Sequence, residues 1–185
     1  SGIVNAPTGS GKTYSLMVPI VEAMIAEEHK KGLFAIWITP IRALAKEIEL
    51  SANAAIAGMG AEAIVGIRTG DTSSKDRQAQ KKNMPQILIT TPESLHILFA
   101  QKKNESLFTC LRTVVIDEWH ELLGSKRGVQ VELALSRLKG MLPSLQVWSI
   151  SATIGNMDEA MNVLQGKSNG SSAVLIRSDL KKKLS

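Results

Sequence analysis

A doubly wound α/β domain, with a mostly parallel central sheet and helices on both faces, is the fold this sequence predicts. Short apolar runs recur along the chain, and most are continuous rather than alternating, the pattern of strands covered on both faces. Longer segments with helical spacing lie between the runs, and strand–helix alternation builds parallel sheets. The length decides the domain count: 185 residues, 44% of them hydrophobic, fill one well-buried domain and fall short of two.

In chain order, Ile3–Val4 is the first run and leads into "APTGSGKT", Ala6 to Thr13, with a helical pattern starting near Gly11. Leu33 to Ile38, Ala63 to Ile67 and Ile87 to Ile89 are the next strand candidates. Thr91-Pro92-Glu93 then supplies an N-cap, a proline at the first helical position and an early acid. Val114 to Ile116 precedes "DEWH", after which Val131, Leu135, Leu138 and Leu142 mark one face of a helix. Val147 to Ile150 and Ala173 to Ile176 are the last strands, with Asn156 able to cap a helix through Leu164 between them. Gly70 to Asn83 and Gly166 to Ser172 read as surface loops or short helices, and Lys181 to Lys183 as a solvated tail.

Composition narrows the class. A net charge of +5 suits a polyanionic partner without requiring one. Cys110 is the only cysteine, so an intrachain disulfide is excluded; it reads as a small buried apolar residue in a reducing compartment. No apolar stretch approaches the roughly 20 residues that span a bilayer, and the first residues have no export signal. The expectation is a cytoplasmic protein without membrane contact. Because the chain enters its Gly-rich loop almost at once and ends in "DLKKKLS", it is expected to be a piece of something longer.

The Gly-rich loop predicts a phosphate cradle. Pro7, Thr8, Gly9, Ser10, Gly11, Lys12 and Thr13 form it, with Ala6 standing where the pattern usually has its first glycine. Gly9 and Gly11 let backbone N–H groups approach phosphate oxygens, Lys12 reaches the β- and γ-phosphates, and the Thr13 hydroxyl can ligate Mg²⁺. The helix start adds its positive end. Asp117 follows a buried run, so its carboxylate falls at a strand's C-terminal end, where such sheets bind ligands and where it can hold Mg²⁺. Glu118 beside it is the candidate to orient or deprotonate an attacking water. Together the two motifs predict an NTPase core.

With His120 included, "DEWH" is a DExH box, and the chain resembles the first RecA-like domain of a superfamily 2 helicase. "APTGSGKT" is similar to motif I, "TPIRAL" to motif Ia, "TGDT" to motif Ib, "TTPESL" to motif Ic and "SAT" to motif III, all in the family's order. "DEWHELLGSKRGVQVELALSRL" looks like the Lhr group, and "WITPIRALAKEI" and "ITTPESLHILFAQK" most resemble its ligase-associated DNA helicase branch. The resemblance implies an ATP- and Mg²⁺-dependent motor domain over residues 1–185, a second RecA-like domain as its partner, and DNA repair beside a DNA ligase and a nuclease. It implies catalysis by Lys12, Asp117 and Glu118, and coupling of nucleotide state to domain movement by His120, Ser151 and Thr153. Single-stranded nucleic acid, DNA by the narrower resemblance, would be gripped at Thr39, Pro40, Arg42, Thr69, Gly70, Thr91 and Pro92. Hydroxyls, an arginine and helix starts at strand ends independently suit phosphate contacts, which position a strand without reading its sequence.

Other residues carry less. Trp37 reads as core, and Trp119 as packing rather than base stacking. His29 reads as a surface residue and His96 as a helix residue, neither with metal-ligand spacing. Lys126 and Arg127 could touch nucleic acid or a neighbouring domain. An alternative to the motor is a nucleotide-dependent switch or clamp on nucleic acid without strand separation. Arginine fingers come from the second domain in this superfamily, so the isolated chain is expected to hydrolyse ATP poorly.

Overall fold

Parallel pairing puts every strand's C-terminal end on one edge of a sheet, and that edge organises this protein. The computed structural model describes residues 1–7, 11–101, 105–151 and 174–177. In chain order the elements are β1 (Gly2–Asn5), α1 (Lys12–Ala26), β2 (Ala35–Ile38), α2 (Leu44–Gly58), β3 (Val65–Arg68), α3 (Ser74–Lys82) and β4 (Ile87–Thr90). There follow α4 (Pro92–Ala100), a 3₁₀ turn (Glu105–Phe108), β5 (Thr113–Ile116), α5 (Trp119–Leu122), α6 (Lys126–Met141), β6 (Gln146–Ser151) and β7 (Val174–Arg177). The seven strands form one sheet in the order β3-β4-β2-β5-β6-β1-β7. Every described pairing is parallel. The sheet is that of a RecA-like domain.

Alternation along the strands divides the core between two faces. Ile36, Ile38, Val114 and Ile116 pack with Leu95 of α4 and Leu135 of α6. Their neighbours Ala35, Trp37 and Val115 pack on the other face with Met17 and Val21 of α1 and Ile48 and Ala52 of α2. Both faces are covered, which is why the strand sequences are apolar throughout. Val131, Leu135 and Leu138 are buried on α6 as their spacing predicts, and Leu142 lies just past its end.

Several local expectations are refined. The Gly70–Asn83 stretch holds a true helix, α3, which buries no residue. It stands on its ends: the Ser73 hydroxyl accepts from the Asp76 N–H at 3.1 Å, and Lys81 and Lys82 sit in the last turn. His29 is half-buried rather than on the surface, because its Nε2 donates to the Gly32 carbonyl at 2.9 Å and its ring packs on Phe34. His96 is exposed on α4. Cys110 is free and half-buried. Trp37 and Trp119 are core residues. The helix expected from Asn156 to Leu164, the Gly166–Ser172 loop and the lysine tail lie outside the described residues. Among those described, no helix is long and apolar enough to cross a membrane.

Candidate functional site

Two groups of side chains collect along the C-terminal edge of the sheet. The first lies at the ends of β1, β6 and β5. Gly11, with φ of 79°, turns the chain into α1 at a backbone angle that favours glycine. Among the described residues no side chain caps the first N–H groups of α1, and its first turn carries no acid. A helix start left open in this way is a site for an anion. Lys12 opens the helix with a side chain only 9% exposed. Among the described residues its buried Nζ has no hydrogen-bond partner, and Glu118 Oε1 lies 3.6 Å away, close enough to pair in charge but not to bond. Pro7 is half-buried on the approach; Thr8, Gly9 and Ser10 lie outside the described residues.

Asp117 stands just past β5, where its own N–H donates to the Ile38 carbonyl at 2.8 Å and fixes it beside β2. The Trp37 Nε1–H donates to Asp117 Oδ2 at 3.2 Å. Burial pushes the Asp117 carboxyl above its ordinary value; the Trp37 bond and Lys12 oppose the rise, and the Glu118 carboxylate adds to it. Oδ1 accepts the Glu118 N–H at 2.9 Å. Glu118 is in the left-handed region at φ 46°, a conformation uncommon for a residue with a side chain and typical of functional positions held by their surroundings. That turn aims its carboxylate back at Lys12.

The order of strands explains the next contact. Because β6 lies between β5 and β1, its last residue Ser151 falls between the Asp117 loop and the helix of Lys12. His120 on α5 meets it: Nδ1 is 2.9 Å from Ser151 Oγ and 3.4 Å from Glu118 Oε2. Thr153 lies outside the described residues. A cleft of about 290 Å³ opens beside these groups, lined by Gly11, Lys12, Thr13, Asp117 and Glu118, with Glu47 and Ser51 of α2 opposite. An orphaned Lys Nζ, an uncapped helix start, a hydroxyl and a carboxylate fit a phosphate chain with Mg²⁺. Among the described residues, no three His, Cys, Asp or Glu side chains gather as a metal cage. A cation held here would take few protein ligands and complete its shell with phosphate and water, the habit of Mg²⁺.

The second group lies at the ends of β2, β4 and β3. Thr39, Thr69 and Thr91 are all buried, and their hydroxyls are used inside the protein. Thr39 Oγ1 donates to the Ile41 carbonyl and accepts its N–H, Thr69 Oγ1 accepts from the Asp71 N–H, and Thr91 Oγ1 accepts from the Ser94 N–H at the start of α4. Pro92 is the first residue of that helix. These threonines shape their loops; the groups left outward are backbone and Arg42. The Arg42 guanidinium lies over Gly70, where a Cβ would meet it at 2.9 Å, and pairs with Asp71 at 3.1 Å in an exposed position.

The family model for DEAD/DEAH box helicases matches residues 1–160. The chain belongs to that family. It is 37% identical over 182 residues to the ATP-dependent helicase Lhr-Core of Methanothermobacter thermautotrophicus, covering 91% of this chain and 21% of that protein. It is 36% identical over 183 residues to the Lhr helicase/uracil glycosylase of Escherichia coli, covering 89% and 12%. The solved structure of Mycobacterium smegmatis helicase Lhr bound to ssDNA and AMP-PNP superposes with a TM-score of 0.79 at 30% identity, over 96% of this chain and 23% of that one. The chain therefore spans about a fifth or less of these relatives.

Within this DEAD/DEAH box domain, three arginines and a tryptophan matter in ways the motifs do not show. Trp37 reads as plain core, yet its indole N–H serves Asp117. Arg77, in a segment rich in polar residues, donates to the carbonyls of Thr72, Thr69 and Gly70 and so holds the β3–α3 loop in shape. Arg68 at the end of β3 is buried with Nη1 unpartnered; burial, then Arg77, lowers its pKa. Arg127 reaches from α6 to Glu93 and Pro40. The Trp37 and Arg127 bonds join segments distant in the chain, so a sequence carries no mark of them.

Proposed function

We propose that this chain is the ATP-binding motor domain of a nucleic-acid-dependent helicase, and that ATP hydrolysis takes place at the Lys12–Asp117–Glu118 cluster. The observation that carries the reading is the buried Lys12 Nζ, without a hydrogen bond and 3.6 Å from Glu118, at an uncapped helix start. In the proposed cycle Lys12 exchanges Glu118 for the β- and γ-phosphates. Thr13 and Asp117 would hold Mg²⁺, which would neutralise charge on the phosphates. Glu118, released, takes a proton from the attacking water as the bond to the leaving ADP breaks. His120 relays the state of Glu118 to Ser151 and so to the segment after β6, which includes Thr153.

Thr39, Pro40, Arg42, Thr69, Gly70, Thr91 and Pro92 form the proposed track for one strand, with backbone N–H groups and Arg42 on phosphates. DNA is the favoured strand, since the Lhr structure of M. smegmatis was solved with ssDNA. The described residues lining the cleft include no arginine, so we assign the charge stabiliser of the transition state to a second RecA-like domain of the same protein. The ligase-associated resemblance extends the proposal to cytoplasmic DNA repair beside a DNA ligase and a nuclease.

The test is ATPase and strand separation by the intact protein with and without single-stranded DNA. Stimulated hydrolysis with separation is expected, while residues 1–185 alone stay near background. Stimulation without separation would instead make the protein a clamp, and no response to any nucleic acid would remove the reading.

A further inference from the structure

Arg127, in the first turn of α6, lies in the Lhr-like stretch that follows the DExH box but in none of motifs I to III. Its Nε donates to Glu93 Oε1 at 2.6 Å and its Nη1 to the Pro40 carbonyl at 3.1 Å. Pro40 follows β2, and Glu93 is in the first turn of α4 beside Thr91 and Pro92. One planar guanidinium thus joins loops at the ends of two neighbouring strands, a task for a fork of donors rather than a point charge. Burial pushes the Glu93 carboxyl up, but its own backbone N–H, the Thr91 hydroxyl and Arg127 together hold it below the ordinary value. Glu93 is therefore an anion at neutral pH, and the tie is charged at both ends.

The base of Arg127 is as firmly fixed. Ser125 Oγ donates to the Leu122 carbonyl at 2.7 Å and accepts from the Gly128 N–H at 3.1 Å. A Cβ at Gly128 would lie 2.1 Å from the Leu122 oxygen, so α6 begins in direct backbone contact with α5. α5 carries His120, which faces Glu118 and Ser151. Movement of the DExH-box helix must therefore carry Arg127, and Arg127 holds Pro40 and Glu93. A half-exposed ion pair adds little to folding stability, so this tie has more to do for placement than for the fold.

We propose that Arg127 is a positioning residue that connects the DExH-box helix to the β2 and β4 loops and sets the spacing of those loops for a single strand. The proposal rests on the nucleic-acid reading given above and deepens it. Arg127 acts through Pro40 and Glu93, not through a phosphate of its own.

The experiment uses the full-length protein and a single-stranded oligothymidine, with ATPase followed across strand concentration and binding followed by anisotropy across salt. Arg127→Ala should raise the strand concentration for half-maximal stimulation about 3- to 10-fold. Turnover at saturating strand should change less than about twofold. Arg127→Lys should fail nearly as badly, because an ammonium cannot span both acceptors. Glu93→Ala, which leaves Arg127 in place, should reproduce the shift, and the double variant should be no worse than either single one. The salt slope should stay as in the wild type, since no phosphate contact is lost. A slope lower by about one with rescue by lysine would make Arg127 a direct phosphate ligand and overturn the proposal. So would variants indistinguishable from wild type, or a loss of turnover and melting temperature with unchanged strand dependence. A wild-type protein that ignores the oligonucleotide would remove the nucleic-acid reading itself, and this inference with it.

Discussion

The two halves of the sheet edge are built in opposite ways. At the ends of β1, β6 and β5, ionisable groups are buried or half-buried and face one another: Lys12 against Glu118, Glu118 against His120, and Asp117 bonded to Trp37. At the ends of β2, β4 and β3, threonine side chains are buried and spent on their own loops, while arginines tie backbone carbonyls from outside. The first half stores interactions that a ligand can take over, because a buried ammonium without a hydrogen bond gains by meeting phosphate. The second half offers a fixed shape in which Arg68 is the buried charge and, among the described residues, no carboxylate is buried beside it, which suits a partner held by its backbone and independent of sequence. Chemistry needs groups poised to change partners; grip needs loops held at a set spacing.

The strongest way to break this comparison is Lys12→Ala. In the intact protein it should lower ATP hydrolysis by about 10²-fold or more, because a charge aimed at the phosphates is lost. Nucleotide-free binding of a single strand should stay within about twofold, as the second half is untouched. An equal loss of both would show that the halves are not separable.

A smaller effect probes the interior of the first half. Trp37→Phe removes the bond that opposes the rise of the Asp117 pKa, so Mg²⁺ affinity at neutral pH should fall about 3- to 10-fold. The acid limb of the pH–rate profile should move to higher pH. The sign for stability follows from the same shift. With its folded-state pKa raised above 3.8, Asp117 contributes stability that is full below that value and is lost as pH rises through the folded pKa. Metal-free Asp117→Asn should therefore melt at a higher temperature than wild type at neutral pH, and the two should converge as the solution is acidified.

The smallest effects belong to the second half. Arg42→Ala should weaken strand binding a few-fold, equally for unrelated sequences, and lower the salt slope by about one. Asp71→Asn should do the reverse, strengthening binding by about twofold, because the Asp71 carboxylate now competes for Arg42. A sequence-selective loss in Arg42→Ala would contradict the phosphate role.

Much of this was legible in the sequence, for physical reasons. Strands buried on both faces must be apolar throughout, so Leu33 to Ile38 and Val114 to Ile116 declared themselves. Thr91-Pro92-Glu93 announced a helix start through capping chemistry that is local in the chain, and α4 begins there. Lys12, Asp117 and Glu118 could be named from spacing, but the pairing of Lys12 with Glu118 could not, since it depends on β6 lying between β1 and β5. The Thr91 hydroxyl caps α4 as its sequence indicates, while those of Thr39 and Thr69 bond within their own loops, because a loop leaving a strand end has backbone N–H groups to satisfy first. Arg77 lies in a stretch that reads as a solvated face, and Arg127 reads as a contact for nucleic acid or a neighbouring domain; the Arg127 partners, a carbonyl and a carboxylate, are brought close only by the fold.

The account stands most directly on Glu118. If the half-buried Lys12–Glu118 pair is a resting arrangement that Mg²⁺ and ATP take apart, Glu118→Gln frees Lys12 and removes the base in one change. Mg²⁺-ATP affinity and strand-stimulated turnover, measured on one preparation of the intact variant, should then part company. Affinity should be equal to the wild type or higher, and turnover should fall by about 10²- to 10⁴-fold. Normal turnover, or a loss of ATP binding as large as that of Lys12→Ala, would contradict it.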